Sequence, residues 1–477
     1  MNLSELPPTA FIDPHGKNRQ EIEQLASQVL DLILSHLTTA INHSPLPEVG
    51  DLTDLVLIPE NSISESVLLE KLKTIIKSST NAANPGYLGH MDSMPTTISI
   101  LAEWVAAALN NNMLSVEMSP ILSRLEFHLI KQFARLFGLG ETSGGVMVSG
   151  GTLANLQALT VARNRTFHSH QTGIWNQSQQ PVLFASEVAH TSVQKVAMLL
   201  GLGTSAVIPI QTNHNSQIEI EDLNRQIRQA KLAGKRPFCI VATAGTTTTG
   251  NIDPLAAIAE IAREHHLWFH VDAAYGGAII FSPQHRHKLQ GIERADSITF
   301  NPQKWLYVAR TCAMVLFRDV QQLETEFRIG APYMQAADDL INLGEISVQG
   351  TRHAEVLKLW LSLQHFGKEG YAKLIDESYQ LTDYLFQKLQ EKSDIEVVGQ
   401  PDMNIICFRS IPSKIPPENR EKWNAQLQAY LLKKANLFLS LPIYRRQCWL
   451  RIILLNPYLD RKQLDRLIQQ IDTFTHC

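Results

Sequence analysis

The chain has 477 residues, 44% hydrophobic and 18% charged, with a formal net charge of -4. That content is ample for a large core in more than one domain, and the absence of a basic stripe or acidic tail argues against nucleic-acid and membrane-surface partners. No stretch approaches the ~20 apolar residues of a membrane span, and Met1-Asn2-Leu3-Ser4-Glu5-Leu6-Pro7-Pro8 lacks the basic and apolar parts of a secretory signal.

Apolar positions Ile22, Leu25, Val29, Leu32, Ile33 and Leu37 predict an amphipathic helix over Asn18 to Ala40. Nothing local would bury its stripe, so a partner or the rest of the same subunit must. A Pro-rich connector, His43 to Pro59, separates it from a second helix beginning near Ser64. From about Asn84 to Phe366 short apolar runs alternate with helical stretches, the pattern of a largely parallel sheet between helices.

Within that region Val146-Met147-Val148 runs into Ser149-Gly150-Gly151-Thr152, which opens a helical stretch from Leu153 to Arg163. A glycine turn at a helix start leaves N–H groups and the helix dipole pointing at an anion, usually a phosphate, although many such turns use Gly and Thr for geometry alone. His190 follows an apolar run in Glu187-Val188-Ala189-His190-Thr191-Ser192 and reads equally as a structural residue. Phe238 to Thr243 is a buried strand, followed by Gly245-Thr246-Thr247-Thr248-Thr249-Gly250. Asp253-Pro254 then suggests an N-cap and first position for a helix from Leu255 to His266.

The strand Leu267 to Asp272 ends on a carboxylate and enters Ala273-Ala274-Tyr275-Gly276-Gly277. A carboxylate so placed is nearly dry and needs a partner. Lys304 is a candidate: Asn301-Pro302-Gln303-Lys304-Trp305 follows the strand Ser297 to Phe300 and precedes another, Cys312 to Phe317. An Asp-Lys salt bridge would explain both residues. A metal site at His265, His266, His270 and Asp272 is not expected, because adjacent histidines at a helix end point apart.

The remainder contains a helix near Tyr371 to Glu391, strands at Ile395 to Val398 and Asn404 to Phe408, a helix near Asn424 to Lys434, the run Cys448 to Leu455 and a last helix. Three domains are therefore expected: residues 1–83, a large domain 84–366 and a small α+β domain 367–477. Cys239, Cys312, Cys407, Cys448 and Cys477 are scattered and odd in number, as suits a reducing cytoplasm.

A lysine amine, a buried carboxylate and a phosphate cradle together are what pyridoxal 5'-phosphate requires. His270-Val271-Asp272-Ala273-Ala274-Tyr275-Gly276-Gly277, Ala295-Asp296-Ser297 and Asn301-Pro302-Gln303-Lys304-Trp305, in that order, resemble the group II pyridoxal-phosphate-dependent amino-acid decarboxylases. That family includes the glutamate, aromatic amino acid, cysteine sulfinate and 2,4-diaminobutyrate enzymes, and the likeness runs from about Asn84 to Pro457.

The resemblance implies a fold type I α/β architecture with a mostly parallel seven-stranded sheet and helices on both faces, an N-terminal segment packed across a homodimer, and decarboxylation of an L-amino acid. It makes Lys304 the covalent anchor of the cofactor, Asp272 the partner of its ring nitrogen, and His190 the residue stacked on the ring. Gly151, Thr152, Asn301 and Gln303 would face the phosphate, Thr247 the ring, and Arg451 the substrate carboxylate. Two departures stand out. Gln303 replaces the usual histidine before the lysine, and Gln335 to Glu345 holds no tyrosine where many relatives carry the one that returns a proton to the substrate carbon; Tyr333 lies just before it. The second departure keeps an aldehyde synthase open as an alternative, beside an idle pyridoxal-phosphate-binding protein.

Overall fold

The computed structural model describes residues 6–330 and 340–476. Packing divides the chain into two compact units, one of Met1–His90, Ala425–Ser440 and Asn456–Cys477, the other of Met91–Asn424 and Leu441–Leu455.

In the first unit the helices Arg19–Thr38 and Glu65–Ser78 lie against each other, close to the expected bounds. Neither buries a single residue, and Leu34, Val67, Leu68 and Ile75 stay exposed. Ile22, Leu25, Val29, Leu32, Ile33 and Leu37 are half-buried, so the stripe is only partly covered within the single chain. Asn81 and Asn84 tie the segment down by donating to the Ala40 carbonyl at 2.9 and 3.2 Å. The Leu88 N–H donates to Phe438 O, and Phe438 N–H to Gly86 O. The final helix, Arg461–His476, buries Leu464, Leu467 and Ile471.

The second unit is built on seven strands among the described residues: β1 Gly144–Val148, β2 Pro181–Ser186, β3 Val207–Ile210, β4 Arg236–Thr243, β5 Trp268–Asp272, β6 Ser297–Phe300 and β7 Ala313–Phe317. Their order is β1-β7-β6-β5-β4-β2-β3. β7 runs antiparallel to both neighbours and every other pairing is parallel, which bears out the mostly parallel seven-stranded sheet. β2, β5, β6 and β7 are buried at every position, the signature of strands covered on both faces. Strands running one way bring their carboxyl ends to a common edge, where ligands bind in such sheets. Val148, Ser186, Thr243, Asp272 and Phe300 all end there.

A second, antiparallel sheet joins β8 Ile395–Val397, β9 Ile405–Ser410 and β12 Leu450–Ile453, beside a short hairpin of β10 Ile443–Tyr444 and β11 Gln447–Cys448. The helix expected near Tyr371 belongs to a longer run, Glu355–Gln390, broken at Gly367 where φ is 62° and ψ 176°. One local expectation is corrected. Pro254, not Asp253, occupies the cap position of the helix Leu255–His265. The Asp253 carboxylate is drawn away because it accepts from Ile218 N–H at 2.8 Å and Thr243 N–H at 2.7 Å.

Candidate active site

The carboxyl edge of the sheet opens into a cleft lined by Gly151, Thr152, His190, Thr247, Asp272, Asn301 and Lys304. Seven of the nine residues singled out from sequence therefore converge, though they span more than 150 positions. The cleft encloses about 560 Å³ including its mouth, within the range of small-molecule sites. A larger groove beside Phe133 and Trp360 is mainly apolar. Size does not pick the site here; the set of reactive groups does.

Asp272, 6% exposed, ends β5. Its Oδ2 accepts from Asn155 Nδ2 at 2.9 Å and its Oδ1 from Ala274 N–H at 3.1 Å. Among the described residues it makes no ion pair with Lys304, so the simple salt bridge is not what balances it.

Lys304 sits in the turn after β6. Its N–H donates to Asn301 O at 3.0 Å, and its carbonyl accepts from Ser93 Oγ at 3.0 Å. The next residue, Trp305, stacks on Tyr275 with ring centroids 5.1 Å apart, and the Tyr275 hydroxyl donates to Asn404 at 2.9 Å. The loop is thereby clamped to the turn that follows β5. Burial pushes the Lys304 ammonium below the usual lysine value, with Asp272 pulling the other way. A depressed value keeps more of the amine in its nucleophilic form.

His190 lines the cleft and is exposed, while its Nδ1 accepts from Ser192 N–H at 3.1 Å. Partial burial of the ring lowers its pKa, Asp272 raises it, and Lys304 and Lys195 lower it further. Ring exposure tempers the burial effect, but the backbone donor at Nδ1 independently favours the neutral ring.

Gly150 precedes the helix Gly151–Phe167, and no side chain caps its first turn. Asn301 is satisfied with its amide oxygen accepting from Gly151 N–H at 3.3 Å and its nitrogen donating to Phe300 O at 3.2 Å. A Cβ on Gly151 would stand 3.1 Å from the Asn301 amide. Among the described residues neither the N–H nor the hydroxyl of Thr152 has a protein partner. Gly245, with φ 104°, lines the opposite wall, where a Cβ would collide with Met403 at 2.5 Å.

The two remaining residues lie outside the lining. Gln303 Oε1 accepts from Cys312 N–H at 2.5 Å. Arg451, in β12, donates to the carbonyl of Thr247 and so borders the cleft from behind. Residues 331–339, which include Tyr333 and the first five positions of the loop without a tyrosine, lie outside the described residues. The structure adds Asn155, Ser192, Thr243, Ala274 and Tyr275 to the wall, and Gln349, whose Oε1 accepts from Ser149 N–H at 3.3 Å.

Glu103, His353 and Glu355 bring ligand-type atoms within 4.8 Å of one another. Lys358 Nζ lies among them, 2.8 Å from Glu103 and 2.5 Å from Glu355, so an ammonium already supplies the positive charge there.

The cleft combines an amine with a depressed pKa, a dry carboxylate held by donors, and an uncapped helix start. These groups suit a ligand with an aldehyde, a basic ring nitrogen and a phosphate. Residues 52–411 match the family model described as the pyridoxal-dependent decarboxylase conserved domain. The chain belongs to the pyridoxal-dependent decarboxylases. Its cofactor is pyridoxal 5'-phosphate, its reaction class is that of a carboxy-lyase acting on an amino acid, and its fold is fold type I.

Solved structures agree with this assignment of the decarboxylase. Mouse CSAD in its apo form is 28% identical, with 96% of this chain and 99% of that chain covered and a TM-score of 0.89. The glutamate decarboxylase domain of a Vibrio parahaemolyticus diaminobutyrate-pyruvate transaminase and L-2,4-diaminobutyrate decarboxylase is 24% identical over 98% of both chains, with a TM-score of 0.87. Oryza sativa TDC, solved with PLP and tryptamine, is 22% identical over 98% of this chain and 99% of that chain, with a TM-score of 0.91. The last two likenesses speak to the fold alone.

Proposed function

We propose that this decarboxylase converts an L-amino acid into the corresponding amine and carbon dioxide, with Lys304, Asp272 and His190 as its catalytic residues. The convergence of Lys304, Asp272 and the Gly151-Thr152 helix start on one cleft carries the reading. When bound, pyridoxal phosphate supplies an aldehyde that condenses with amines and an electron-withdrawing ring that accepts the electron pair left by carbon dioxide.

The chain's own residues do the rest. The Lys304 amine takes and releases the cofactor as the substrate amine arrives. Asp272, whose carboxylate is held by the Asn155 and Ala274 donors, would hold a proton at the ring nitrogen and keep the ring electron-poor. His190, with Nδ1 accepting from Ser192 N–H, would stack on the ring and offer its Nε2 hydrogen to the substrate. Gly151, Thr152 and Asn301 bind the phosphate, with Gln303 assisting through the loop it fixes, and Thr247 flanks the ring. Arg451, which donates to the Thr247 carbonyl, would grip the substrate carboxylate.

An aldehyde-forming outcome is the second reading, supported by the missing tyrosine between Gln335 and Glu345. Carbon dioxide release measured over the common amino acids plus 2,4-diaminobutyrate and cysteine sulfinate, followed by product analysis, separates the two. A single amine stoichiometric with carbon dioxide supports decarboxylation, whereas aldehyde, ammonia and peroxide support the synthase. No turnover on any substrate despite bound cofactor would favour an idle binding protein. Borohydride reduction and peptide mapping test the anchor: a pyridoxyl label anywhere but Lys304 overturns it.

We infer a homodimer in which the N-terminal helices cover a partner surface, because no residue of Arg19–Thr38 or Glu65–Ser78 is fully buried in one chain. Light scattering should return twice the 53.5 kDa chain mass. A cytoplasmic location fits the free thiols of Cys239, Cys312, Cys407 and Cys448. No helix among the described residues is long and apolar enough to cross a membrane.

A further inference from the structure

Asn155 is 1% exposed and lies one turn into the helix that opens at Gly151. An asparagine inside a helix is a poor helix former, since its amide competes for backbone groups. Here the amide is fully used by side chains instead. Its Nδ2 donates to Asp272 Oδ2 and to Ser192 Oγ, both at 2.9 Å. Its Oδ1 accepts from Thr299 Oγ1 at 2.7 Å and from His270 Nε2 at 3.0 Å. His270 Nδ1 lies 2.8 Å from Ser297 Oγ, which in turn lies 2.8 Å from Trp268 Nε1.

The direction of this chain follows from its two ends, a donor-only indole and an acceptor carboxylate. The Trp268 indole N–H donates to Ser297 Oγ, and the partner left for the Ser297 hydroxyl hydrogen is His270 Nδ1 at 2.8 Å, while Asp272 takes the Asn155 NH2 and leaves Oδ1 facing His270 Nε2. His270 then carries its hydrogen on Nε2 and donates to Asn155 Oδ1. Turning the Asn155 amide over would set its NH2 against the His270 Nε2 hydrogen and its oxygen against the Asp272 carboxylate. The only consistent orientation aims a donor at Asp272. His270, Ser297 and Thr299 are completely buried, and a satisfied buried network holds its members rigidly.

We propose that Asn155, oriented by Thr299 and by the Trp268–Ser297–His270 chain, is the positioning residue that holds the Asp272 carboxylate turned into the cleft toward the cofactor's ring nitrogen. Burial independently pushes the His270 ring toward neutrality, the state the chain requires. The proposal rests on the assignment of Asp272 to the ring nitrogen.

The test is a double-mutant cycle on the reconstituted holoenzyme with Asn155→Asp and Asp272→Asn, read by the absorption spectrum of bound cofactor, its dissociation constant, kcat and KM. Asn155→Asp preserves shape but sets an acceptor where Asp272 needs a donor. In the wild-type background it should shift the cofactor band and lower kcat by roughly ten- to hundredfold, with KM changed by less than about threefold. In the Asp272→Asn background it should change neither spectrum nor kcat, because the residue acts through Asp272. A wild-type spectrum and kcat for Asn155→Asp, or losses that add fully in the double variant, would overturn the proposal in favour of a structural role. An Asp272→Asn enzyme indistinguishable from wild type would instead remove the assignment of Asp272, and the proposal with it. If Asn155→Asp fails to fold, Thr299→Val serves as the milder variant with the same expected spectral shift. On the unmutated holoenzyme, 15N shifts of labelled histidine should report His270 as neutral with its hydrogen on Nε2 at pH 7. A hydrogen on Nδ1 or a protonated ring overturns the orientation argued above.

Discussion

The backbone N–H of Ser192 donates to His190 Nδ1 at 3.1 Å, which leaves the hydrogen of the neutral ring on Nε2. Because the donor is main-chain, no substitution at position 192 except proline removes it. Burial also lowers the His190 pKa, so its titration in the apo protein should have a midpoint below 6.5. Asp272→Asn should move that midpoint further down, since Asp272 raises it, and Lys304→Ala should move it up, since Lys304 lowers it. Histidine NMR titrations of the three proteins check this. A midpoint above 6.5 in the wild type would show that the attraction of Asp272 outweighs burial.

Lys304 faces the same pair of opposing influences. Its pKa lies below the usual 10.5 through burial, and Asp272 works against the depression. The pH midpoint for covalent capture of pyridoxal phosphate by apo protein should fall below 10.5, and lower still in Asp272→Asn. Lys304→Ala should abolish capture and lower turnover by roughly a thousandfold or more. Stopped-flow absorbance of cofactor binding across pH measures both effects.

What the sequence disclosed and what it hid divide along the range of the interactions. Lys304, Asp272 and the Gly151-Thr152 turn announce themselves because each breaks a local rule: a charge at the end of an apolar run, or glycine at a helix start. Asn155 gave no such notice, since its partners His270, Asp272 and Thr299 lie 115, 117 and 144 positions away. A polar residue inside a helix was the one available signal. The place of β7, antiparallel between β1 and β6, is equally non-local, because an apolar run carries no direction. Asp253 shows the limit of a local rule. Its position before proline suits a cap, but unpaired N–H groups at Ile218 and Thr243 compete for the carboxylate and win with two bonds.

Gly151 separates the needs of the cofactor from those of the fold. It occupies the first position of a 17-residue helix, where alanine is intrinsically better by up to about 1 kcal/mol. An added Cβ would press on Asn301 at 3.1 Å. Gly151→Ala should therefore leave the stability of the apo protein within about 1 kcal/mol of wild type. It should weaken pyridoxal phosphate binding by roughly ten- to hundredfold, because an Asn301 amide that shifts to relieve the contact no longer meets the phosphate. Thermal unfolding of the apo form and a spectrophotometric cofactor titration read the two quantities separately. A loss of apo stability with unchanged affinity would assign Gly151 to the fold alone.

Asp253 should make stability depend on pH in an unusual direction. Burial raises its carboxyl from 3.8 to about 7, with the Ile218 and Thr243 N–H groups opposing and nearby Asp402 reinforcing the rise. Between those values the folded protein binds more protons than the unfolded chain. This group's contribution is therefore complete below pH 3.8 and is lost as pH rises toward about 7, by linkage. Asparagine at 253 cannot titrate, so the variant should show a flatter dependence of stability on pH between 4 and 7. It also replaces one acceptor by an NH2 facing a backbone donor, which should cost about 1–3 kcal/mol at pH 7. Urea unfolding of both proteins at several pH values provides the comparison. If wild-type stability instead rises across that window relative to Asp253→Asn, the two backbone donors hold the carboxylate ionised against burial, and its pKa lies below 3.8 in the folded state.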